Sequence, residues 1–169
     1  MSSHSKRAGK MTVRRMCLLS LMGALMVASQ VAMASLPNIH IVAFIIILTT
    51  LCFSWQALYS VAVFVLLEGL IFGFGLWWVS YLYAWPLLVP IVMAFRETES
   101  PLFWAVIAGV HGLIFGALCA IPYLFIGGAE MAFSYWLSGI PFDLLHCAGN
   151  FAVTLLLIRP LRRITVRFC

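Results

Sequence analysis

Between Met16 and Phe95 the chain runs for 80 residues without a lysine or arginine, and between Glu97 and Ile158 it runs for another 62. The ten basic residues are confined to three places: Lys6, Arg7, Lys10, Arg14 and Arg15 before the first run, Arg96 between the two, and Arg159, Arg162, Arg163 and Arg167 after the second. The cation-free runs are also apolar, and the whole chain is 64% hydrophobic with only 9% charged residues. Soluble domains stand near about half and a quarter, so a soluble globular protein is excluded. A bilayer-spanning helix takes about 20 residues, which makes this a small polytopic membrane protein. Its 169 residues leave no room for an ATP-hydrolysing domain, and no G-x-x-x-x-G-K-[ST] loop occurs, so active transport would draw its energy from a partner chain.

Charge placement predicts the topology. Lysine and arginine collect in cytoplasmic loops, so all three clusters are expected to face the cytoplasm. The first run must then cross an even number of times, and its length suits four crossings. The second suits two crossings and an outer loop. The expected architecture is all-α, with six transmembrane helices and both termini cytoplasmic. A basic arm (residues 1–15) precedes a six-helix membrane domain (16–159) and a basic tail (160–169). The spans are expected at Met16–Ser35, Ile39–Trp55, Leu58–Phe74, Trp77–Phe95, Leu102–Pro122 and Pro141–Ile158. Asn38 can cap the second span, Ser100-Pro101 can cap and open the fifth, and Pro141 can open the sixth. Pro86 and Pro90 predict a kink in the fourth. An outer loop is expected at 124–139, partly helical along the interface. In an alternative reading, Arg14-Arg15, the apolar run and Ala32-x-Ala34 form a cleavable signal peptide, which would leave five spans.

Five cysteines without a C-x-x-C pair predict no disulfide framework and no metal site. Two stripes of small residues stand out. Ala24, Ala28 and Ala32 recur every four positions on the first span, a smooth face for another helix, whether from this chain or from a partner. Gly109, Gly112, Gly116 and Ala120 make a comparable stripe on the fifth span, expected to serve internal packing.

Polar groups inside the membrane are costly and by default mark a functional site. Glu68 and Asp143 are such groups, although Asp143 could also sit at the favourable N-terminal end of its helix. Asp143, His146 and Asn150 share one stripe of the sixth span and must face protein, a cavity or a ligand. His111, alone near mid-span, is expected to pack or hydrogen-bond. Eight of the eleven Trp and Tyr residues fall in the outer half, among them Trp77, Tyr81, Trp85 and Trp136. That excess predicts an aromatic-lined outer pocket, with Trp77, Tyr81 and Trp85 on one helix face. The outer half has no basic residue, which favours a neutral or cationic heteroaromatic ligand over an anion. Candidate substrate-binding residues are therefore Glu68, Trp77, Tyr81, Trp85, Trp136, Asp143, His146 and Asn150.

Five segments together resemble the substrate-specific (S) component of energy-coupling factor ABC transporters: Leu36-Pro-Asn-Ile39, Glu68-Gly-Leu-Ile-Phe-Gly-Phe-Gly75, Ser100-Pro-Leu-Phe-Trp104, Gly116-Ala-Leu-Cys-Ala-Ile-Pro-Tyr123 and Ser138-Gly-Ile-Pro-Phe-Asp-Leu-Leu-His146. The similarity spans nearly the whole chain, and it lies in the order of the segments more than in any one of them. It implies a non-enzymatic vitamin or vitamin-precursor importer subunit in a prokaryotic plasma membrane, without a cofactor of its own and with no nucleic-acid partner. Its partners would be a transmembrane coupling protein and two ATPases that hydrolyse the ATP. The family's A-x-x-x-A docking motif would be supplied by Ala24–Ala28 or Ala28–Ala32. Two rival classes remain: an intramembrane hydrolase, suggested by His146-x-x-x-Asn150, and a small stand-alone secondary carrier.

Overall fold

The computed structural model describes residues 10–34 and 40–165, and every regular element among them is helical. They are α1 (Val13–Ala32), α2 (Val42–Phe53), a 3-10 turn (Ser54–Gln56), α3 (Ala57–Phe72), α4 (Leu76–Ala84), α5 (Leu88–Ala94) and α6 (Pro101–Thr165). Four stretches are long and apolar enough to cross a membrane: Val13–Ala32, Val42–Phe72, Leu76–Ala94 and Pro101–Ile164. Two of the four contain a reversal. The second is interrupted at Ser54, where φ is +55°. The last bends at Gly127 and Gly128 into two arms, 101–126 and 129–165. Gly128, at φ +74°, takes a backbone conformation that L side chains rarely adopt, and this turns the helix back on itself.

Side-chain contacts give the helix directions. Arg15 donates to Gln56 (3.3 Å) near the start of both α1 and α3, and Gln30 donates to Glu68 (3.1 Å) near their ends, so these two helices run parallel. The arms of α6 run antiparallel. Asn150 Nδ2 bonds the Ala108 carbonyl, Asp143 takes the Gly116 N–H, and Tyr123 stacks on Tyr135. α2 is the central helix. Its sequence VAFIIILTTLCF offers no polar face, so any side of it can take apolar neighbours. Val42 to Ile47 are all buried, against Val61, Phe64 and Val65 of α3, Leu88, Val89 and Val92 of α5, and Trp104 and Ile158 of α6.

The described basic residues gather at one end of this bundle. Arg15 meets Gln56 in the 3-10 turn, α5 packs on that same turn, and Arg162 donates to the Thr98 carbonyl (2.9 Å) in the turn before α6. The same carbonyl accepts the indole N–H of fully buried Trp104 at 3.0 Å. The opposite end carries the Gly73–Gly75 and Gly127–Gly128 turns.

Most sequence-predicted boundaries fall within a few residues of the helices. Ser100 Oγ accepts from Phe103 N–H and Pro101 takes the first helical position, as expected. The expected fourth span is divided at Trp85–Leu87 into α4 and α5. The expected outer loop 124–139 is instead helical apart from Gly127 and Gly128, so Pro141 lies inside a helix rather than opening one. The two glycines suffice for the reversal, and the Ala129–Ile140 sequence contains no further breaker strong enough to stop the helix. Where the cysteine spacing predicts no disulfide framework, Cys17, Cys119 and Cys147 are free and Cys52 is disulfide-bonded. Asn38, the expected cap of the second span, lies outside the described residues.

Candidate functional site

The α4–α5 break positions the centre of the site. Pro86 and Pro90 each lack an N–H, so the helical ladder fails there and tightens to i→i−3 bonds, Leu88 N to Trp85 O (3.2 Å) and Val89 N to Pro86 O (3.0 Å). With Leu88 turned to Trp85, the Ala84 carbonyl is open to a side-chain donor. His111 Nε2 fills it at 2.9 Å. A carbonyl can only accept, so neutral His111 carries its proton on Nε2 and its Nδ1 is a bare acceptor. The break also turns Trp85 into the bundle, where the indole is fully buried.

Six rings surround that indole. Its centroid lies 5.5 Å from His40, 5.5 Å from His111, 6.2 Å from His146, 4.8 Å from Phe115, 5.7 Å from Tyr81 and 5.8 Å from Phe64. His40 and His146 meet edge to face at 4.7 Å, and Phe115 packs on His146 at 5.0 Å. The cluster thus draws on the coil before α2, on α3, on α4 and the α4–α5 break, and on both arms of α6. It is buried yet poorly satisfied. His40 Nδ1, His111 Nδ1, both nitrogens of His146, the Trp85 N–H and Asn150 Oδ1 have no hydrogen-bond partner. Buried polar atoms are nearly always paired, and each orphan costs about 1–3 kcal/mol, so this many around one ring calls for a functional explanation.

A second polar group adjoins the cluster through Tyr81. Glu68 is buried on α3, and one carboxylate oxygen accepts the Gln30 amide while the other is unpartnered. The same amide reaches the Tyr81 hydroxyl at 3.5 Å. Asp143 is buried on α6, with Oδ1 accepting from Gly116 N at 2.9 Å and Oδ2 unpartnered. Neither carboxylate faces a cation among the described residues; the ion pair Arg96–Glu97 lies at the surface.

The sequence-predicted residues therefore divide. Asp143, His146 and Asn150 lie on one buried face, which Thr154 extends by a further turn. Tyr81 and Trp85 belong to the ring cluster, and Glu68 joins it through Gln30 and Tyr81. Trp77 is half-buried at the rim and touches Tyr81 edge-on at 5.1 Å. Trp136 does not join the site: it is exposed on the second arm of α6 and pairs with Phe133. His111 was expected merely to pack or hydrogen-bond; it does bond Ala84, and it is also a cluster member. His40, Gln30 and Phe115 were not singled out in the sequence. For His40 a signal existed, as the chain has only four histidines and this one stands at the head of an apolar span. For Phe115, one of 13 phenylalanines, none did.

Both small-residue stripes are resolved by burial. Gly112 seats the second arm of α6 against the first: a Cβ there would lie 2.8 Å from the His146 carbonyl carbon and oxygen. Ala24, Ala28 and Ala32 are all exposed, while Leu19, Gly23, Met26 and Val27 of the same helix are buried. The alanine stripe is thus not used to pack this chain against itself. It continues toward the basic end into a shallow groove lined by Cys17, Ser20, Ala24 and Tyr59.

Comparison of the chain with known protein families, curated proteins and solved structures finds no match.

Proposed function

We propose that this chain is a membrane-embedded ligand-capturing subunit that works with partner chains, of the kind represented by the S component of energy-coupling factor importers. The observation that carries the reading is the ring cluster around Trp85, an assembly of partnerless donors and acceptors deep in an otherwise apolar bundle. Ligand sites are mostly apolar with a few convergent polar groups, and this cluster has that composition. The alternation of helix directions and the gathering of basic residues at one end support a chain of six crossings with both termini in the cytoplasm. The exposed Ala24–Ala28–Ala32 face is the docking surface for a coupling protein, and ATP is hydrolysed by further partner subunits. The substrate is a vitamin-like small molecule.

The hydrolase alternative has weaker support. Ser138 is exposed and donates its hydroxyl to the Tyr135 carbonyl (2.8 Å), while His146 makes its contacts with rings, so nucleophile and base are not brought together.

Native mass spectrometry of the purified chain, followed by extraction of any retained small molecule, tests the reading directly. A stoichiometric organic ligand and co-purifying ATPase subunits are expected; finding neither would defeat the proposal. Ala28→Trp places a bulky ring in the middle of the exposed stripe. It should abolish assembly and uptake while leaving ligand binding intact, and normal assembly of this variant would remove the docking assignment.

A further inference from the structure

The polar atoms of the ring cluster have fixed hydrogen-bonding signs, and those signs restrict what can bind. His111 gives its only N–H to the Ala84 carbonyl, so Nδ1 can only accept. Asn150 turns its amide nitrogen to the Ala108 carbonyl (3.4 Å), so its free atom is the acceptor Oδ1. Both acceptors are anchored on the first arm of α6, Asn150 at the Ala108 carbonyl and His111 by its own backbone, three residues apart and so on one helix face. Trp85 contributes a donor of fixed sign: its N–H approaches the Tyr81 hydroxyl without reaching hydrogen-bond geometry. Phe115 and the indole pack directly on each other, centroids 4.8 Å apart at 47°, and together offer an apolar ring surface.

The charges point the same way. Among the described residues no lysine or arginine contacts the cluster, and the nearby carboxylates are those of Glu68 and Asp143, so an anionic ligand would meet two carboxylates and no cation. A metal ion is a poor fit despite the three histidines, since among the described residues no group of three His, Cys, Asp or Glu side chains is arranged to hold one.

Resting on the capture reading above, we infer that the site selects an uncharged, planar nitrogen heteroaromatic bearing an exocyclic amino group. The amino hydrogens go to His111 Nδ1 and Asn150 Oδ1, and a ring nitrogen accepts from Trp85 Nε1. His40 is the least buried of the described histidines and precedes the first turn of α2, so it is the ring that yields to an incoming ligand without disturbing a helix.

The test is equilibrium binding to the detergent-solubilised full chain, read by tryptophan fluorescence at mildly alkaline pH. The probes are 4-aminopyrimidine, pyrimidine, pyrimidine-4-carboxylate and Ni²⁺. The amino compound should bind about ten- to a hundredfold tighter than pyrimidine, the difference expected when buried acceptors are left unpaired, and the carboxylate should bind most weakly. His111→Phe and Asn150→Leu should each bring the amino-to-parent ratio close to unity. Trp85→Phe should weaken both neutral probes and preserve the ratio. If either acceptor variant fails to fold, the other supplies the same readout, and the wild-type ratio decides on its own. Equal affinity for 4-aminopyrimidine and pyrimidine, preference for the carboxylate, or binding of Ni²⁺ alone would overturn the inference. A retained native ligand that is anionic would defeat this selectivity while leaving the capture reading standing. A chain that binds no probe and retains no small molecule would defeat both.

Discussion

Gly112→Ala tests the architecture that builds the site. The new Cβ would lie 2.8 Å from both the carbonyl carbon and oxygen of His146 and 2.9 Å from Cys147 N. All three are backbone atoms, so no rotamer change relieves the contact and the arms of α6 must separate by several tenths of an ångström. Overpacking of this kind costs about 1–3 kcal/mol, offset by about 1 kcal/mol from the better helix propensity of alanine. The chain contains its own control. Gly139 lies on the second arm with nothing within 4 Å of its would-be Cβ. Gly139→Ala makes the same chemical change and should be neutral or stabilising by up to about 1 kcal/mol. The propensity gain is common to both, so the two variants should differ by about 1–3 kcal/mol in reversible unfolding, followed by circular dichroism in mixed micelles of increasing SDS fraction. His146 and Asn150 ride on the displaced arm, so Gly112→Ala should also weaken ligand binding and Gly139→Ala should not. Equal stability of the two variants would mean that the arms are not in backbone contact at Gly112, and the placement of His146 beside Trp85 would fall with it.

Other consequences can be measured independently. Pro122 has no N–H for the Leu118 carbonyl, and the Tyr83 hydroxyl donates to that oxygen at 2.7 Å. Tyr83→Phe should accordingly cost about 1–2 kcal/mol. The loss should largely disappear in a Pro122→Ala background, where an N–H again reaches Leu118; additivity of the two changes would refute the pairing. Glu68→Ala leaves the Gln30 amide without its carboxylate and should weaken ligand binding without preventing partner assembly, so unchanged affinity would remove Glu68 from the site. For topology, a membrane-impermeant maleimide should modify Glu99→Cys only in inverted vesicles and Glu130→Cys only in intact cells. Labelling of both from one side would break the expected arrangement.

Much of the fold was legible in the sequence because the bilayer imposes so few solutions. The cation-free apolar runs become helices long and apolar enough to span a bilayer, whereas the central place of α2 was not legible, since a helix apolar on every side can face lipid as well as protein. Spacing likewise exposed the Asp143–His146–Asn150 face, since a helix cannot turn three polar groups one turn apart toward lipid. What spacing could not give was which faces meet. Trp77, Tyr81 and Trp85 were placed on one face by periodicity, yet the Pro86 break turns Trp85 fully inward and leaves Trp77 at the rim. Trp136 was grouped with them by depth alone, and depth does not say which way a side chain points. His40 and Phe115 reach the cluster from elements distant in sequence, through packing that no local pattern encodes. The helical course of 129–140 was obscured by Pro141, which in water would read as a helix opening but within a membrane is tolerated inside one.

The prolines tie these observations together. Each proline inside a spanning helix frees a carbonyl that lipid cannot satisfy, so a neighbouring helix must supply a donor or the bundle carries the cost. At two positions the donor is a side chain from another element: His111 answers the Ala84 carbonyl at the Pro86 break, and Tyr83 answers Leu118 below Pro122. Both bonds join α4 to the first arm of α6, and they do so on either side of the Trp85–Phe115 contact. The helix breaks therefore do more than bend the chain. They create the polar sockets that lock α4 onto α6, and by consuming the N–H of His111 they fix the sign of the one acceptor that faces the ring cluster from that arm. A helix bundle without these prolines could pack as tightly, but it would have no reason to hold a histidine of defined tautomer at its centre.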